Sequence, residues 1–219
     1  MIKKLSFFSL LFIFFASAPV FSDIGEAYHG SYFMKMKPGA RANSMGISYF
    51  GFSDDSSAIF WNPAAGVTLN AGGINIGASY LNYDIMAADA VLNFKGTGNS
   101  LAFGAFGMKY PGIEKYDLSG NQTGEISNLQ GYALTNFSFL VTDFSSLGFT
   151  FKGGYQKIED HAFYAGTGSI GMMAQFLYFQ FVLALNDLGT SYDNSAKKYQ
   201  FLNPDFSFGL SYVKTNNDD

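Results

Sequence analysis

The chain reads as an all-β protein: an antiparallel transmembrane β-barrel or partial barrel preceded by an N-terminal hatch-like segment. Three observations predict it. The first residues have the form of an export signal, the composition is rich in aromatics and glycine but poor in charge, and apolar residues alternate with small or polar ones at a period of two.

In the export signal, Lys3 and Lys4 form the positive end, Leu5 to Ala16 the apolar core, and Val20, Phe21 and Ser22 the exit. Cleavage is placed after Ser22, with Ala18 as the second choice. The apolar run is shorter than the roughly 18 to 20 residues a membrane helix requires. Removing residues 1–22 leaves 197 of 219 residues and takes away two of thirteen basic side chains, so eleven face seventeen acidic ones at a formal charge of −6. That balance excludes an electrostatic footprint for nucleic acid. The absence of cysteine excludes disulfides, thiolate metal sites, a cysteine nucleophile and a lipid-modified N-terminal cysteine.

Twenty-five Phe, 14 Tyr and 25 Gly accompany only 14% charged residues, against about a quarter in an average soluble domain. A soluble β-sandwich of this composition would have to hide nearly all its phenylalanines between two sheets. Strands with lipid on one side and a crowded lumen on the other have no such difficulty.

The alternation predicts strands over Gly73–Tyr83, Ile85–Phe94, Ser100–Tyr110, Leu129–Val141, Leu147–Ile158, Phe163–Phe176, Leu177–Asp187 and Phe206–Val213, with a short helical turn near Ser56 to Phe60. In the last strand Phe206, Phe208, Leu210 and Tyr212 share one face, and Ser207, Gly209 and Ser211 the other. Leu177, Phe179, Phe181, Leu183 and Leu185 likewise oppose Tyr178, Gln180, Val182, Ala184 and Asn186. Leu147, Phe149, Phe151 and Tyr155 oppose Gly148, Thr150, Lys152 and Gln156. A single membrane helix over Ile170–Leu185 is the rival reading, and Gln175, Gln180 and the missing caps speak against it. Lys95–Asn99, Leu118–Asn121 and Ser191–Ser195 carry turn chemistry, and the polar stretch Pro111 to Asn128 reads as an exposed outer loop.

Other motifs dissolve on inspection. Gly166, Gly168 and Gly171 match G-x-G-x-x-G, but no helix follows, so they read as small inward strand positions. His29 and His161 lie too far apart for a zinc site or a catalytic triad. Asp54 and Asp55 lack the spaced oxygen ligands of a calcium loop; one of them is expected to cap the helical turn before Trp61 or to pair with Arg41. No catalytic residue, metal site or cofactor is indicated.

Three runs then carry a family resemblance: Pro38 to Gly46 with Arg41, Phe52 to Ala58 with Asp54 and Asp55, and Trp61 to Gly66 with Asn62, Pro63 and Ala64. They resemble the N-terminal signature of the FadL-type long-chain fatty-acid transporters, of the PorV/PorQ outer-membrane proteins and, most closely, of an uncharacterised spirochaete outer-membrane family. Leu183 to Gly189 also resembles the strand-end "N-x-G" pattern of PorV-like chains. The resemblance implies a fourteen-stranded barrel in the outer membrane of a diderm bacterium, with residues 23–71 as a hatch inside it and residues 72–219 as barrel strands. Gly39, Ala40, Ala42 and Gly46 would pack closely in the lumen, and Arg41, Asp54, Asp55, Asn62, Pro63 and Ala64 would hold the hatch. Phe50, Phe52, Phe60 and Trp61 are the candidates to line a pocket for a hydrophobic ligand such as a long-chain fatty acid. The sequence departs from the family in length, with about eight strands and a polar end at Asn216 to Asp219 in place of a terminal aromatic strand, which points to a truncated member. The expected function is uptake of hydrophobic molecules. The alternatives are a PorV-like adaptor that docks a secretion or surface-attachment partner, and a surface antigen or adhesin.

Overall fold

The computed structural model of the chain describes residues 31–52, 54–176 and 178–212. The expected signal peptide, His29 and the polar end at Asn216 to Asp219 lie outside those residues. Alternation has produced strands almost throughout: β1 (Gly73–Leu81), β2 (Ile85–Lys95), β3 (Asn99–Lys109), β4 (Ile113–Tyr116), β5 (Gln122–Ile126), β6 (Asn128–Thr142), β7 (Ser145–Ile158), β8 (His161–Phe176), β9 (Phe179–Asp193), β10 (Lys198–Leu202) and β11 (Asp205–Tyr212). No helix among the described residues is long and apolar enough to cross a membrane. The segment weighed as a helix from Ile170 onward belongs to β8 and β9.

Nine of the strands form one antiparallel sheet, in the order β1-β2-β3-β6-β7-β8-β9, with β10 and β11 both on the free side of β9. β10 sets Lys198 opposite Asp193 and Leu202 opposite Gly189, and β11 continues that register from Asp205 opposite Asn186 to Tyr212 opposite Phe179. The two are one span interrupted at Asn203 and Pro204, where proline has no N–H for the ladder. The sheet therefore has eight spans, the number legible in the sequence. Among the described residues it stays open, with β1 as one edge and β10 and β11 as the other.

Some boundaries differ from the sequence reading. The stretch expected as a loop, Pro111 to Asn128, holds the β4–β5 hairpin, which prolongs the β3–β6 hairpin. Its tip is ordered by Asp117, whose carboxylate accepts N–H bonds from Ser119 and Asn121 at 2.9 and 2.8 Å. β9 runs on to Asp193, so the turn expected at Ser191–Ser195 begins later. Strand pairing of Tyr192 with Tyr164 and Tyr199 outweighs the local turn propensity. β1 stops at Leu81 because Tyr83 and Asp84 adopt positive φ of 64° and 57° to close the turn into β2.

The outer side of the sheet is apolar, whereas the buried side mixes polar residues with an apolar core in which Val91, Phe106, Leu134, Met173 and Val182 meet the N-terminal segment. On β11, Phe206, Phe208, Leu210 and Tyr212 are exposed while Ser211 is buried, and on β7 exposed Phe151 and Tyr155 alternate with buried Thr150, Lys152 and Gln156. The same division continues across Asn93, Ser100, Asn136 and Ser138 inside and Ile76, Phe94, Phe103 and Phe137 outside. On β8, Gly171 points inward as expected. Gly166 and Gly168 stand instead on the outer side, because period two gives the inward positions to Ala165, Thr167 and Ser169.

Residues 31–72 cover the buried side. A turn at Tyr32–Lys35 rests on β6 and β7, the expected turn at Ser56–Phe60 rests on β1, β2 and β3, and a helical turn at Tyr49–Phe52 rests on β9 and β11. Glycines mark where this chain meets the sheet most closely. A Cβ at Gly148 would sit 1.9 Å from the Pro63 carbonyl oxygen, one at Gly154 2.3 Å from the Met34 sulfur, and one at Gly209 2.9 Å from Phe50. Gly148→Ala should therefore push residues 31–72 off the wall and destabilise the protein by about 1–3 kcal/mol or more. Gly153→Ala, whose Cβ meets nothing within 4 Å, should be neutral. Thermal unfolding with limited proteolysis of residues 31–72 checks both, and equal stability of the two variants would contradict this account.

Candidate functional site between the N-terminal segment and the polar wall

An irregular segment laid on a sheet leaves carbonyls that no ladder satisfies. Here the wall supplies their donors. Tyr132 donates its hydroxyl to Met36 O at 2.6 Å, Asn136 Nδ2 to Pro63 O at 2.8 Å, and Ser146 Oγ to Ala64 O at 3.1 Å. Gln180 Nε2 and Ser211 Oγ both donate to Gly51 O, at 2.8 and 2.7 Å, and Lys95 reaches Leu69 O. The polar inner residues of the period-two pattern are thus the partners of residues 31–72.

The Asn62-Pro63-Ala64 element sits at the centre of that contact. Asn62 is fully buried, and its Oδ1 accepts the Ala64 N–H at 2.9 Å in a local turn. Pro63 lies between Gly148 of β7 and Gly171 of β8, where any side chain would collide with it. Trp61 donates Nε1–H to Pro38 O at 2.9 Å, packs edge-on against Tyr49 with ring centroids 5.8 Å apart, and takes the Lys37 ammonium over its ring at 5.6 Å. Desolvation, with the Lys152 charge second, holds the Lys37 ammonium below the ordinary lysine pKa. Burial pushes the Tyr49 hydroxyl well above its ordinary value.

Asp55 caps the turn at Ser56–Phe60, accepting the Ser57 N–H at 2.8 Å. Arg41 pairs with Asp54 at 2.7 Å and lies 3.9 Å from Asp55. The cluster is open to solvent, with the Arg41 side chain 55% exposed, and Asp54 lines a cavity beside Ser145, Ser146 and Gln180 of the wall. Gly39, at φ 113°, is closely approached by Ser57 and Ala42. A Cβ at Gly46 would meet nothing within 4 Å, and the residue instead ends the helix Ala40–Met45 at φ 62°. Of the four aromatic pocket candidates, Phe50 and Phe60 are core residues and Trp61 is half-buried. Phe52, 44% exposed, lines a cavity of about 240 Å³ with Leu69, Phe144 and Met173 among polar neighbours that include Asp143 and Gln180.

One central feature escaped the sequence reading. Lys152 of β7 and Asp187 of β9 form an ion pair at 2.7 Å with side chains only 2% and 0% exposed. Lys152 also donates to Met34 O at 3.2 Å and stands over the Tyr132 ring at 5.2 Å, so it bridges the wall to the segment. The alternation puts Asp187 on the outer face with Leu183 and Leu185. A bulge between β8 and β9 overrides it: Asp187 takes φ 61°, its N–H goes to Ser169 Oγ, and Asn186 and Asp187 both turn inward. The segment Leu183 to Gly189 is accordingly a mid-strand bulge and not a strand end. The positive-φ tolerance of Asp and the inward Lys152 were the available signals.

Among the described residues, no group of three acidic, histidine or cysteine side chains is gathered in metal-binding range. Neither a known protein-family model nor a curated protein matches the chain.

Lys152→Met leaves the Asp187 carboxylate buried and unpaired, and should cost about 3–5 kcal/mol. Adding Asp187→Asn, which keeps the tolerance of positive φ that this position needs, should recover much of that loss, since the unpaired buried charge is then removed. Denaturant unfolding of both single variants and the double variant checks this; a double variant no better than Lys152→Met would refute the coupling.

Proposed function

We propose that the chain is an outer-membrane protein whose sheet faces lipid, whose residues 31–72 act as a hatch over a polar lumen, and which takes up hydrophobic molecules such as long-chain fatty acids. The observation that carries the membrane part is the inverted polarity of the sheet. A protein in water buries its apolar side, whereas here Phe206, Phe208 and Leu210 are exposed and Asn136, Ser138 and Thr150 are buried. Aromatic positions support the same setting. Tyr155, Tyr164, Tyr192 and Tyr199 stand at one level across four neighbouring strands, and Tyr178 and Tyr212 pair at 5.9 Å at the opposite end. From Tyr199 to Tyr212 the strand spans about 43 Å at ~3.3 Å per residue. A tilt of about 45° reduces that to ~30 Å, the thickness of a hydrocarbon core.

Uptake is supported by the resemblance of the Arg41, Asp54–Asp55 and Asn62–Ala64 runs to the FadL and PorV signature, and by the way the segment is held. Its hydrogen bonds to the wall are ones water can replace, each with a net value of about 1 kcal/mol, and Phe52 opens onto a cavity beside it. A second reading, a docking adaptor, is favoured by the β4–β5 hairpin, which exposes Ile113, Tyr116 and Leu118. Lys115 anchors that hairpin to Glu159 at 2.8 Å and draws the Glu159 carboxyl below its ordinary pKa.

Phe208→Lys discriminates a lipid setting from an aqueous one. Facing water, the substitution should be neutral or favourable to solubility; facing lipid, it should cost about 2–4 kcal/mol and deplete the protein from carbonate-washed membranes. Unvaried protein that washes off the membranes would sink the membrane reading, and full accumulation and stability of the variant would sink the placement of Phe208 in lipid. For the hatch, Asn62→Ala with Pro63→Ala should leave the protein in the membrane and change uptake of a fluorescent long-chain fatty acid several-fold. Unchanged uptake by that folded variant would favour the adaptor.

A further inference from the structure

The N-terminal segment and the wall do not touch everywhere. At the end of the sheet opposite the β4–β5 hairpin, where β6 turns into β7 and β8 into β9, they leave between them the cavity of about 240 Å³ that Phe52 lines. The segment brings Asp54 and Asn70 to it as well, and the wall brings Asp143, Phe144, Gln175 and Gln180. Its volume is below the roughly 300–1,000 Å³ of a site for a drug-sized ligand, so it has room for one small ring and not for an extended acyl chain.

Hydrogen bonding divides the lining into committed and uncommitted groups. Gln180 and Ser146 donate to carbonyls of the segment, Ser145 pairs with Thr142, and Asp54 holds Arg41. The Asn70 and Gln175 amides and the Asp143 carboxylate are exposed and have no side-chain partner among the described residues. Two of these groups both donate and accept, and the third only accepts. No lysine, arginine or histidine is among the lining residues, so nothing in the lining balances the Asp143 charge. A carboxylate ligand would meet like charge there, and a hydrocarbon would strip water from the amides without replacing its hydrogen bonds. A hydroxyl answers both kinds of group, because it donates one hydrogen and accepts through two lone pairs. Phe52, 44% exposed, and Phe144 add apolar surface on which the C–H face of a ring can lie.

We propose that this cavity binds a neutral polyhydroxylated molecule of monosaccharide size, with Asn70, Asp143 and Gln175 taking its hydroxyls and Phe52 its C–H face. The inference goes beyond the uptake reading and stands without it. Phe52 and Asn70 belong to the segment, whereas Asp143 and Gln175 belong to the wall, so the site is complete only while the segment lies on the sheet. A ligand that holds both parts favours that arrangement by mass action.

The test titrates the full chain in detergent with D-glucose, D-galactose and D-mannose, and with D-glucosamine and D-glucuronate as cationic and anionic counterparts of one ring. Calorimetry and saturation-transfer NMR read the binding. The proposal expects at least one neutral sugar to bind saturably and to protect residues 31–72 from proteolysis, with glucuronate at least tenfold weaker. Asp143→Ala and Gln175→Ala, both at exposed positions, should each weaken that sugar about tenfold while leaving thermal unfolding of the sugar-free protein unchanged. Absence of saturable binding by all three neutral sugars overturns the proposal. So does glucosamine bound tenfold more tightly than the best of them, which would make this a cation site, and so does sugar binding that neither variant weakens. Palmitate that displaces the sugar overturns it too, the cavity then belonging to the hydrophobic ligand. Fatty-acid uptake that fails while a sugar still binds would remove the uptake reading and keep this one; a protein that takes up fatty acid and binds no sugar would do the reverse.

Discussion

The structure depends on the need to satisfy an irregular backbone enclosed by a sheet. Residues 31–72 form only short helical turns, so many of their carbonyls have no partner within the segment, and enclosure removes bulk water as a substitute. The wall answers with side-chain donors at Asn93, Tyr132, Asn136, Ser146, Lys152, Gln180 and Ser211, each aimed at a main-chain oxygen of the segment. The polar inner face of the strands is therefore required by what it encloses. An apolar wall would leave those oxygens orphaned, at about 1–3 kcal/mol each.

That requirement also explains the glycines and the outward aromatics together. Polar side chains reach a backbone only if it comes close, and Gly148, Gly154, Gly171 and Gly209 remove the Cβ atoms that would keep Pro63, Met34, Asn62 and Phe50 away. The inner face shares its positions between these polar and small residues and the few apolar ones that pack on the segment, such as Val91, Phe106, Leu134 and Val182, so most large apolar residues of the alternating strands stand on the outer face. The outer face then needs an apolar surrounding, which is why the proposed bilayer setting follows from the interior as much as from the exterior.

The sequence disclosed whatever repeats or depends on neighbours in the chain. Eight spans, the inward Thr150, Lys152 and Gln156, the outward Phe206, Phe208 and Leu210, and the Asp55 cap on Ser56–Phe60 all follow from period or adjacency. Features set by partners distant in sequence stayed hidden. Ser191 to Asp193 carry turn residues, yet pairing with β8 and β10 holds them in a strand. The β4–β5 hairpin has little apolar alternation and is organised by Asp117 and by the Lys115–Glu159 link. The pairing of Arg41 with Asp54 was legible because the two lie close in sequence, whereas the burial of Asn62 and Pro63 between Gly148 and Gly171 is set by distant strands. Asp187 was hidden too, because a bulge reverses the face its position assigns.

The Lys152–Asp187 pair shows how these levels meet. Burying two charges is costly, and packed apolar residues at the same places would hold the wall together at least as well. What apolar residues would not do is reach the Met34 carbonyl. Lys152 has three hydrogens to donate; one goes to Asp187 and one to Met34 O. The carboxylate neutralises in the wall a charge whose donor serves the segment. The link from wall to segment is thus a neutral carbonyl accepting from a cation, which hydration can replace at modest cost, while the ion pair itself stays within the sheet. This division suits the proposed hatch, since the strong interaction belongs to the sheet and the weaker one to the segment laid on it.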